Sequence, residues 1–132
     1  MNSLKCTEGF EIEIMSFGFK YGIPEEANLV FDVRFLQNPF YVEELKNCTG
    51  NDLPVQEYVM KSGEGDMFLD KLVDLLEFLV PEYIQSEKNK LIVAIGCTGG
   101  HHRSVTIANR LKNRLEGKVN YELIKVHRDI DK

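Results

Sequence analysis

The sequence has few cysteines, no excess of basic residues and no long apolar run. Its three cysteines, Cys6, Cys48 and Cys97, lie far apart and form no CxxC pair, which excludes a disulfide framework and favours a reducing, cytoplasmic setting. No apolar stretch is long enough to cross a bilayer, and residues 1–6 are too short and polar for a signal peptide. A net charge of −5 and a pI near 5.2 exclude a nucleic-acid-binding domain that is basic throughout.

The length and composition predict one globular domain. The 132 residues suffice for a single hydrophobic core, and 43% hydrophobic with 28% charged residues is ordinary for a globular chain. We therefore treat residues 1–132 as one domain. Strand and helix patterns follow each other along the chain, which predicts an α/β fold with a mostly parallel or mixed sheet flanked by helices.

The spacing of hydrophobic residues predicts where the helices and strands lie. Leucines and Phe68 recur at three- and four-residue spacing over 66–84, which predicts the longest helix, and Pro81 is expected to kink or restart it. The apolar run at 91–95 predicts a strand buried on both faces. Residues 36–53 predict a long irregular connection. The remaining predicted strands are 11–17, 28–35 and 119–126, and the remaining helices are 55–61 and 104–115.

A glycine-rich loop at 97–104 is the strongest functional signal. It reads Cys-Thr-Gly-Gly-His-His-Arg-Ser and joins the buried strand to a helix start. A helix N-terminus presents unpaired N–H groups and partial positive charge to an anion. Glycines let the backbone approach a ligand closely, and Arg103 offers a planar fork suited to phosphate. These residues predict an oxyanion site.

The same loop fits the C-x5-R-[ST] pattern of cysteine-dependent phosphatases. In that alternative, Cys97 is the nucleophile, Arg103 clamps the phosphate and Ser104 stabilises the thiolate. The pattern usually has His before the cysteine, where this chain has Gly96, and Asp32 is the sole candidate for a general acid. We favour Cys97 as a small residue in a tight turn, with no catalytic residue in the domain.

Other polar residues leave alternatives open. Lys20 and Tyr21 lie in a glycine-rich loop, where they are either ligand contacts or turn residues. Asp32 and Arg34 either form an ion pair at a pocket edge or mark a solvated strand face.

Two further pairs of residues that contain histidine also allow more than one interpretation. His127 and Arg128 follow the last strand and are either a basic rim or a polar tail. The adjacent His101 and His102 cannot easily share one ion, and no HExxH or CxxC accompanies them, so we expect no metal site.

Four motifs in order carry a family resemblance. They are SFGFKYGIP at 16–24, FDVRFLQNP at 31–39, TG at 49–50 and VAIGCTGGHHRSV at 93–105. From about residue 14 to residue 128, the chain resembles the C-terminal domain of the RapZ/YvcJ family of P-loop-containing nucleotide-binding proteins, also called RNase adapter proteins.

The resemblance implies a ligand-sensing domain. Family members carry an N-terminal P-loop domain, which this chain does not include, and nucleotide hydrolysis would belong to that domain. No enzymatic activity or cofactor is then expected here. The C-terminal domain is similar to the sugar-phosphate-binding part of phosphofructokinase, and the family implies binding of glucosamine-6-phosphate, contact with a regulatory RNA and self-association. Tyr21 replaces a family His, and residues 128–132 are less basic than in enterobacterial members, which disfavours RNA.

Carried onto this sequence, the resemblance implies a phosphate and ligand set comprising Lys20, Asp32, Thr98, Gly99, Gly100, His102 and Arg103. Residues that could form the rim of this site are Tyr21, Arg34, Cys97, His101, Ser104, His127 and Arg128.

Overall fold

A four-stranded parallel sheet organises the chain, with three helices flanking it. The structure, a computed structural model, describes residues 9–119 and 121–132. In chain order, the elements are β1 Glu11–Gly18, β2 Leu29–Asp32, α1 Leu53–Met60, α2 Glu64–Gln85, β3 Lys90–Cys97, α3 Arg103–Leu115 and β4 Glu122–His127. The predicted α/β class is confirmed, and within the described residues the sheet is parallel throughout, in the order β2-β3-β1-β4.

The two inner strands supply the centre of the core. All of β3 after Lys90 is buried, as its apolar run predicted. β3 pairs with β1 so that Ile14 lies beside Val93. At the solvent end of this pair, Lys90 forms ion pairs with Glu11 and Glu13 at 3.3 and 3.1 Å.

The long helix α2 continues through its proline, so the expected restart at Pro81 is wrong. Proline removes one helical hydrogen bond, which would otherwise join its nitrogen to the carbonyl of Glu77. Both residues are exposed, so water can satisfy that carbonyl. The apolar stripe on the opposite side holds the helix against the core and comprises Leu69, Leu72, Val73, Leu76 and Val80.

Helix α3 packs against both inner strands and against α2. Its predicted inward face is confirmed, since Val105, Ile107, Ala108 and Leu111 are all fully buried. Arg114 at its exposed end forms ion pairs with two acidic residues of α2. None of the helices in the described part of the chain combines the length and apolar character that a membrane span requires.

The carboxyl ends of the strands meet at one edge of the sheet. Gly18 pairs with Cys97, and Asp32 pairs with Gly96. The loop after β3 then packs backbone against backbone on β1, because a Cβ on Gly18 would lie 2.5 Å from the carbonyl carbon of Gly99. Ligands of parallel α/β sheets bind beyond such strand ends.

We expect Gly18→Ala to destabilise the domain by about 1–3 kcal/mol, since the new methyl group would collide with rigid backbone. Gly99→Ala is the matched control because its Cβ would meet nothing closer than 3.9 Å, and it should cost less than about 0.5 kcal/mol. Urea unfolding of both variants measures the difference. Equal stability of the two would contradict the close backbone contact.

Candidate functional site

A buried guanidinium lies at the start of α3. Arg103 is only 6% exposed. Its Nη1 atom donates hydrogen bonds to the carbonyl oxygens of Arg34 at 2.8 Å and Leu36 at 3.3 Å. Nη2 lies 3.5 Å from Thr98 Oγ1, and the buried Nε has no partner within the described residues.

The side chain of Arg103 is held in place by hydrogen bonds, but no acidic side chain among the described residues forms an ion pair with it. None of the ion pairs formed among residues 9–119 and 121–132 includes it. A buried charge is costly unless an opposite charge pairs with it. The backbone carbonyls therefore hold in place a buried cation that has no ion-pair partner among the described residues.

The histidines before α3 differ in their surroundings. His102 is buried at the N-cap position, and its Nε2 lies 3.2 Å from the carbonyl oxygen of Lys46. Burial lowers the pKa of His102, so it is neutral at neutral pH. His101 is partly exposed, but its Nε2 atom is buried and has no partner in the described part of the chain. The loop thus presents a second unsatisfied polar atom beside Arg103.

A cavity of about 390 Å³ opens at this loop. Seven of the sequence-predicted residues line it, namely Lys20, Cys97, Thr98, Gly99, His101, His102 and Arg103. The rest of its wall comes from a short 3-10 turn, Pro39–Tyr41, and the residue before it, through the side chains of Asn38, Phe40 and Tyr41. The sequence pattern predicted an irregular connection over residues 36–53, so this turn was not expected.

Asp32 and Arg34 pair with each other outside the cavity lining. Arg34 Nη2 and Nε donate to the two oxygens of Asp32 at 2.7 and 2.9 Å. This hydrogen bonding lowers the pKa of Asp32. The ion pair of the first alternative is present, and both side chains are exposed, as the second alternative expected. Strand β2 ends at Asp32, so Arg34 lies beyond the strand. The guanidinium of Arg34 also stacks on the ring of Phe19, with its central carbon 4.2 Å from the ring centre.

Cys97 and Ser104 are both buried and contact each other. The Cys97 sulfur accepts the backbone N–H of Ser104 at 3.4 Å and lies 3.2 Å from its hydroxyl oxygen. Gly96 explains the departure from the phosphatase pattern, because a Cβ there would lie 2.4 Å from the ring of Phe17. No carboxylate lines the cavity in the described residues, so the acidic side chain that cysteine-dependent phosphatases usually use as general acid is not among its lining residues.

His127 is the last residue of β4 and belongs to a hydrogen-bonded chain, so it is not part of a polar tail. Asn109 Nδ2 donates to Gly50 O and Asn51 Oδ1, which leaves its Oδ1 facing His127 Nε2 at 3.1 Å. The proton therefore sits on Nε2, and the hydroxyl of Ser16 donates to Nδ1 at 2.7 Å. Burial lowers the pKa of His127 to about 4.

Asp129 is a buried carboxylate that sequence analysis missed. It accepts the backbone N–H of Gly18 at 2.8 Å and pairs with Arg128 and Lys132 at 2.8 and 3.0 Å. Burial raises its pKa, but these donors outweigh burial and lower the pKa to about 2. Arg128, expected in a rim or a tail, is therefore held at the end of β1. The sequence contained only a weak signal for this carboxylate: a basic residue, Arg128, directly before it and another, Lys132, three positions after it.

Tyr21, Gly100 and Ser104 complete the predicted set without lining the cavity. Tyr21 lies between two lysines, with the Nζ atoms of Lys20 and Lys132 at 5.3 and 4.9 Å from its ring centre. Gly100 has φ +79° and packs on the backbone of Gly18.

Together, these features define a small parallel α/β domain in which a glycine-rich loop and a buried arginine meet beyond the strand ends. A family model described as the RapZ C-terminal domain matches residues 10–131. The chain belongs to this family, and the resemblance noted in its motifs is confirmed.

Curated relatives agree with this assignment. A protein named nucleotide-binding protein from Thermoanaerobacter sp. is 61% identical over 126 residues, which are 96% of this chain and 44% of the relative. A second nucleotide-binding protein, from Caldanaerobacter subterraneus subsp. tengcongensis, is 58% identical over 126 residues, which are again 96% of this chain and 44% of the relative. The chain spans less than half the length of these relatives.

We expect the domain to lose stability as the pH falls from about 6.5 to about 4, because unfolded histidine takes up a proton before the buried His127 does. His102 adds to the loss in the same direction. His127→Gln should reduce the pH dependence over this interval, as measured by urea unfolding at several pH values. Identical pH dependence in the variant and the parent would contradict the buried neutral His127.

Proposed function

We propose that this domain is a regulatory module that binds the phosphate group of a phosphorylated metabolite beside Arg103. The ligand class is an amino-sugar phosphate, with glucosamine-6-phosphate as the first compound to test. The observation that carries the proposal is the buried guanidinium of Arg103 at the N-terminus of α3, which has no ion-pair partner among the residues that the structure describes. The proposal describes binding without turnover.

The surroundings of Arg103 favour an oxyanion over other ligands. A phosphate would supply the opposite charge that the guanidinium lacks, and its oxygens could accept hydrogen bonds from the first turn of the helix. Thr98 contributes a hydroxyl, and Lys20 adds a second, exposed positive charge to the cavity. Neutral His102 adds no charge of its own, so selectivity for anions rests on Arg103, Lys20 and the helix end.

The regulatory part of the proposal follows from the family. The relatives are named nucleotide-binding proteins, and more than half of each lies outside the region that this chain matches. The resemblance assigns the nucleotide to that other half. Binding of a phosphorylated metabolite in this half would then regulate the rest of the protein.

We expect glucosamine-6-phosphate to raise the melting temperature of the domain, corresponding to about 2.7 kcal/mol at a ligand concentration one hundred times the Kd. Arg103→Gln should abolish the shift, since it removes the buried charge. Lys20→Ala should weaken binding and is useful should Arg103→Gln fold poorly, because Lys20 is exposed. Differential scanning fluorimetry measures all three.

The matched control is Arg114→Gln, the same substitution at the opposite end of α3, where the arginine pairs with Asp66 and Asp70. It should preserve the ligand-induced shift. Absence of any shift with glucosamine-6-phosphate, inorganic phosphate and sulfate would refute the anion site.

The phosphatase alternative uses Cys97 and has a separate test. We expect no release of p-nitrophenol from p-nitrophenyl phosphate, because no carboxylate lines the cavity among the described residues to serve as general acid. Cys97→Ser should keep the ligand-induced thermal shift. Hydrolysis by the parent that disappears in Cys97→Ser would establish the phosphatase instead.

A further inference from the structure

Asp129 is a buried carboxylate to which the anion site gives no role. Its side chain is fully buried, and it is not among the residues that line the cavity. It accepts the backbone N–H of Gly18 at 2.8 Å, and Arg128 and Lys132 pair with it. Burying a carboxylate costs free energy even when partners surround it. What Asp129 contributes therefore depends on what its contact with Gly18 holds in place.

Gly18 lies where two loops of the cavity wall meet. A Cβ on Gly18 would lie 2.5 Å from the carbonyl carbon of Gly99, so the two backbones are in direct contact. Two residues further on, Lys20 donates its backbone N–H to the carbonyl oxygen of Thr98 at 3.3 Å. Lys20, Thr98 and Gly99 all line the cavity. A displacement of Gly18 would therefore move groups on both sides of the proposed anion site.

The residues around Asp129 hold the first of these loops at both of its ends. We call residues 18–22 the Lys20 loop. Asp129 binds its first residue, and Arg128 donates from Nη2 to the carbonyl oxygen of Gly22 at 2.6 Å. Asp129 also lies against the glycine-rich loop, because a Cβ on Gly100 would be 3.1 Å from the Cβ of Asp129. One buried carboxylate thus contacts both loops.

We propose that Asp129 is a positioning residue for the anion site. Through Gly18 it holds the Lys20 loop against the glycine-rich loop, in the arrangement that brings Lys20 and Thr98 to the cavity. This inference rests on the proposed function and adds to it a residue from outside the cavity lining. Asp129 acts through the backbone of Gly18 and has no contact with the anion.

The direction of the effect separates positioning from electrostatics. If charge alone acted, removal of a negative charge near the site would strengthen anion binding. Loss of the hydrogen bond to Gly18 would weaken binding instead, because the Lys20 loop would no longer be held against the glycine-rich loop. Asp129→Ala removes both the charge and the acceptor. Asp129→Asn removes the charge but keeps an oxygen that can accept the Gly18 N–H.

The test measures the affinity for inorganic phosphate by isothermal titration calorimetry. We expect Asp129→Ala to bind phosphate about tenfold more weakly than the parent, and Asp129→Asn to bind within about threefold of it. Circular dichroism at the temperature of the titration checks that each variant is folded. Recovery of affinity by the asparagine would assign the effect to the hydrogen bond with Gly18.

Ser16→Ala is the matched control. Ser16 is also fully buried on β1, and its hydroxyl bonds to His127 at 2.7 Å across the same 111 positions that separate Gly18 from Asp129. Its loss should lower the melting temperature, as Asp129→Ala does. Phosphate affinity should stay that of the parent, because this hydrogen bond joins β1 to β4 within the sheet and not at the loops.

Arg128→Lys tests the same arrangement should Asp129→Ala not fold. The lysine keeps the positive charge, but its single ammonium group cannot bind Asp129 and the carbonyl of Gly22 together as the guanidinium does. We expect phosphate binding about threefold weaker than in the parent. Charge alone predicts no change for this substitution.

The outcomes separate this inference from the proposed function. Phosphate binding by Asp129→Ala as tight as that of the parent, or tighter, would overturn the inference and leave the anion site in place. Equal weakening in Asp129→Asn or in Ser16→Ala would also overturn it, because the loss would then follow the missing charge or the reduced stability. If Asp129→Ala does not fold, unchanged affinity in Arg128→Lys overturns it. Failure of the parent to bind phosphate would refute the anion site and this inference together.

Discussion

The parallel direction of all four strands is the constraint on which the site depends. Parallel strands deliver their carboxyl ends to one edge of the sheet, so the chain emerges there from each strand in turn. The carbonyls of Arg34 and Leu36, which follow β2, can therefore hold the guanidinium of Arg103, which follows β3. The same edge brings Asp129, after β4, to the backbone of Gly18 at the end of β1.

Local features of the sequence predicted much of this arrangement. The apolar run of β3 and the stripe of α2 depend on periodicity within one segment, and both appear with bounds close to those expected. The glycine-rich loop was likewise identified from contiguous residues. The restart at Pro81 was wrongly expected because a propensity rule takes no account of exposure, and on the solvent side of a helix a lost hydrogen bond is inexpensive.

Long-range pairing could not be predicted in the same way. The partners of His127 lie on β1 and α3, and the contact with Ser16 joins residues 111 positions apart. Asp129 meets Gly18 across an equal separation. No pattern within one segment encodes such a partner. A single sequence also carries no covariation between distant positions that would suggest it. The 3-10 turn Pro39–Tyr41 was missed for a different reason, since its place in the cavity wall depends on how the chain folds around the loop after β3.

The chain concentrates positive potential in spite of its net charge of −5. Acidic groups near the site are neutralised by neighbours, since Arg34 holds Asp32 and three donors surround Asp129. Arg103 is buried and has no ion-pair partner within the described residues, and the field of a buried charge is screened less than that of a charge at the surface. Net charge therefore describes the outer surface and says little about the cavity.

The central position of β1 has a consequence for how the chain folds. β1 is the first strand along the chain, yet both of its neighbours, β3 and β4, come from far later in the sequence. Contacts of such high sequence separation slow folding, because a long loop must close before they form. During synthesis, β1 can pair with β3 once residues 90–97 have emerged, but its other edge stays unpaired until β4 and Asp129 follow. The contact of Asp129 with Gly18, beside the glycine-rich loop, is thus among the last parts of the nascent domain to form.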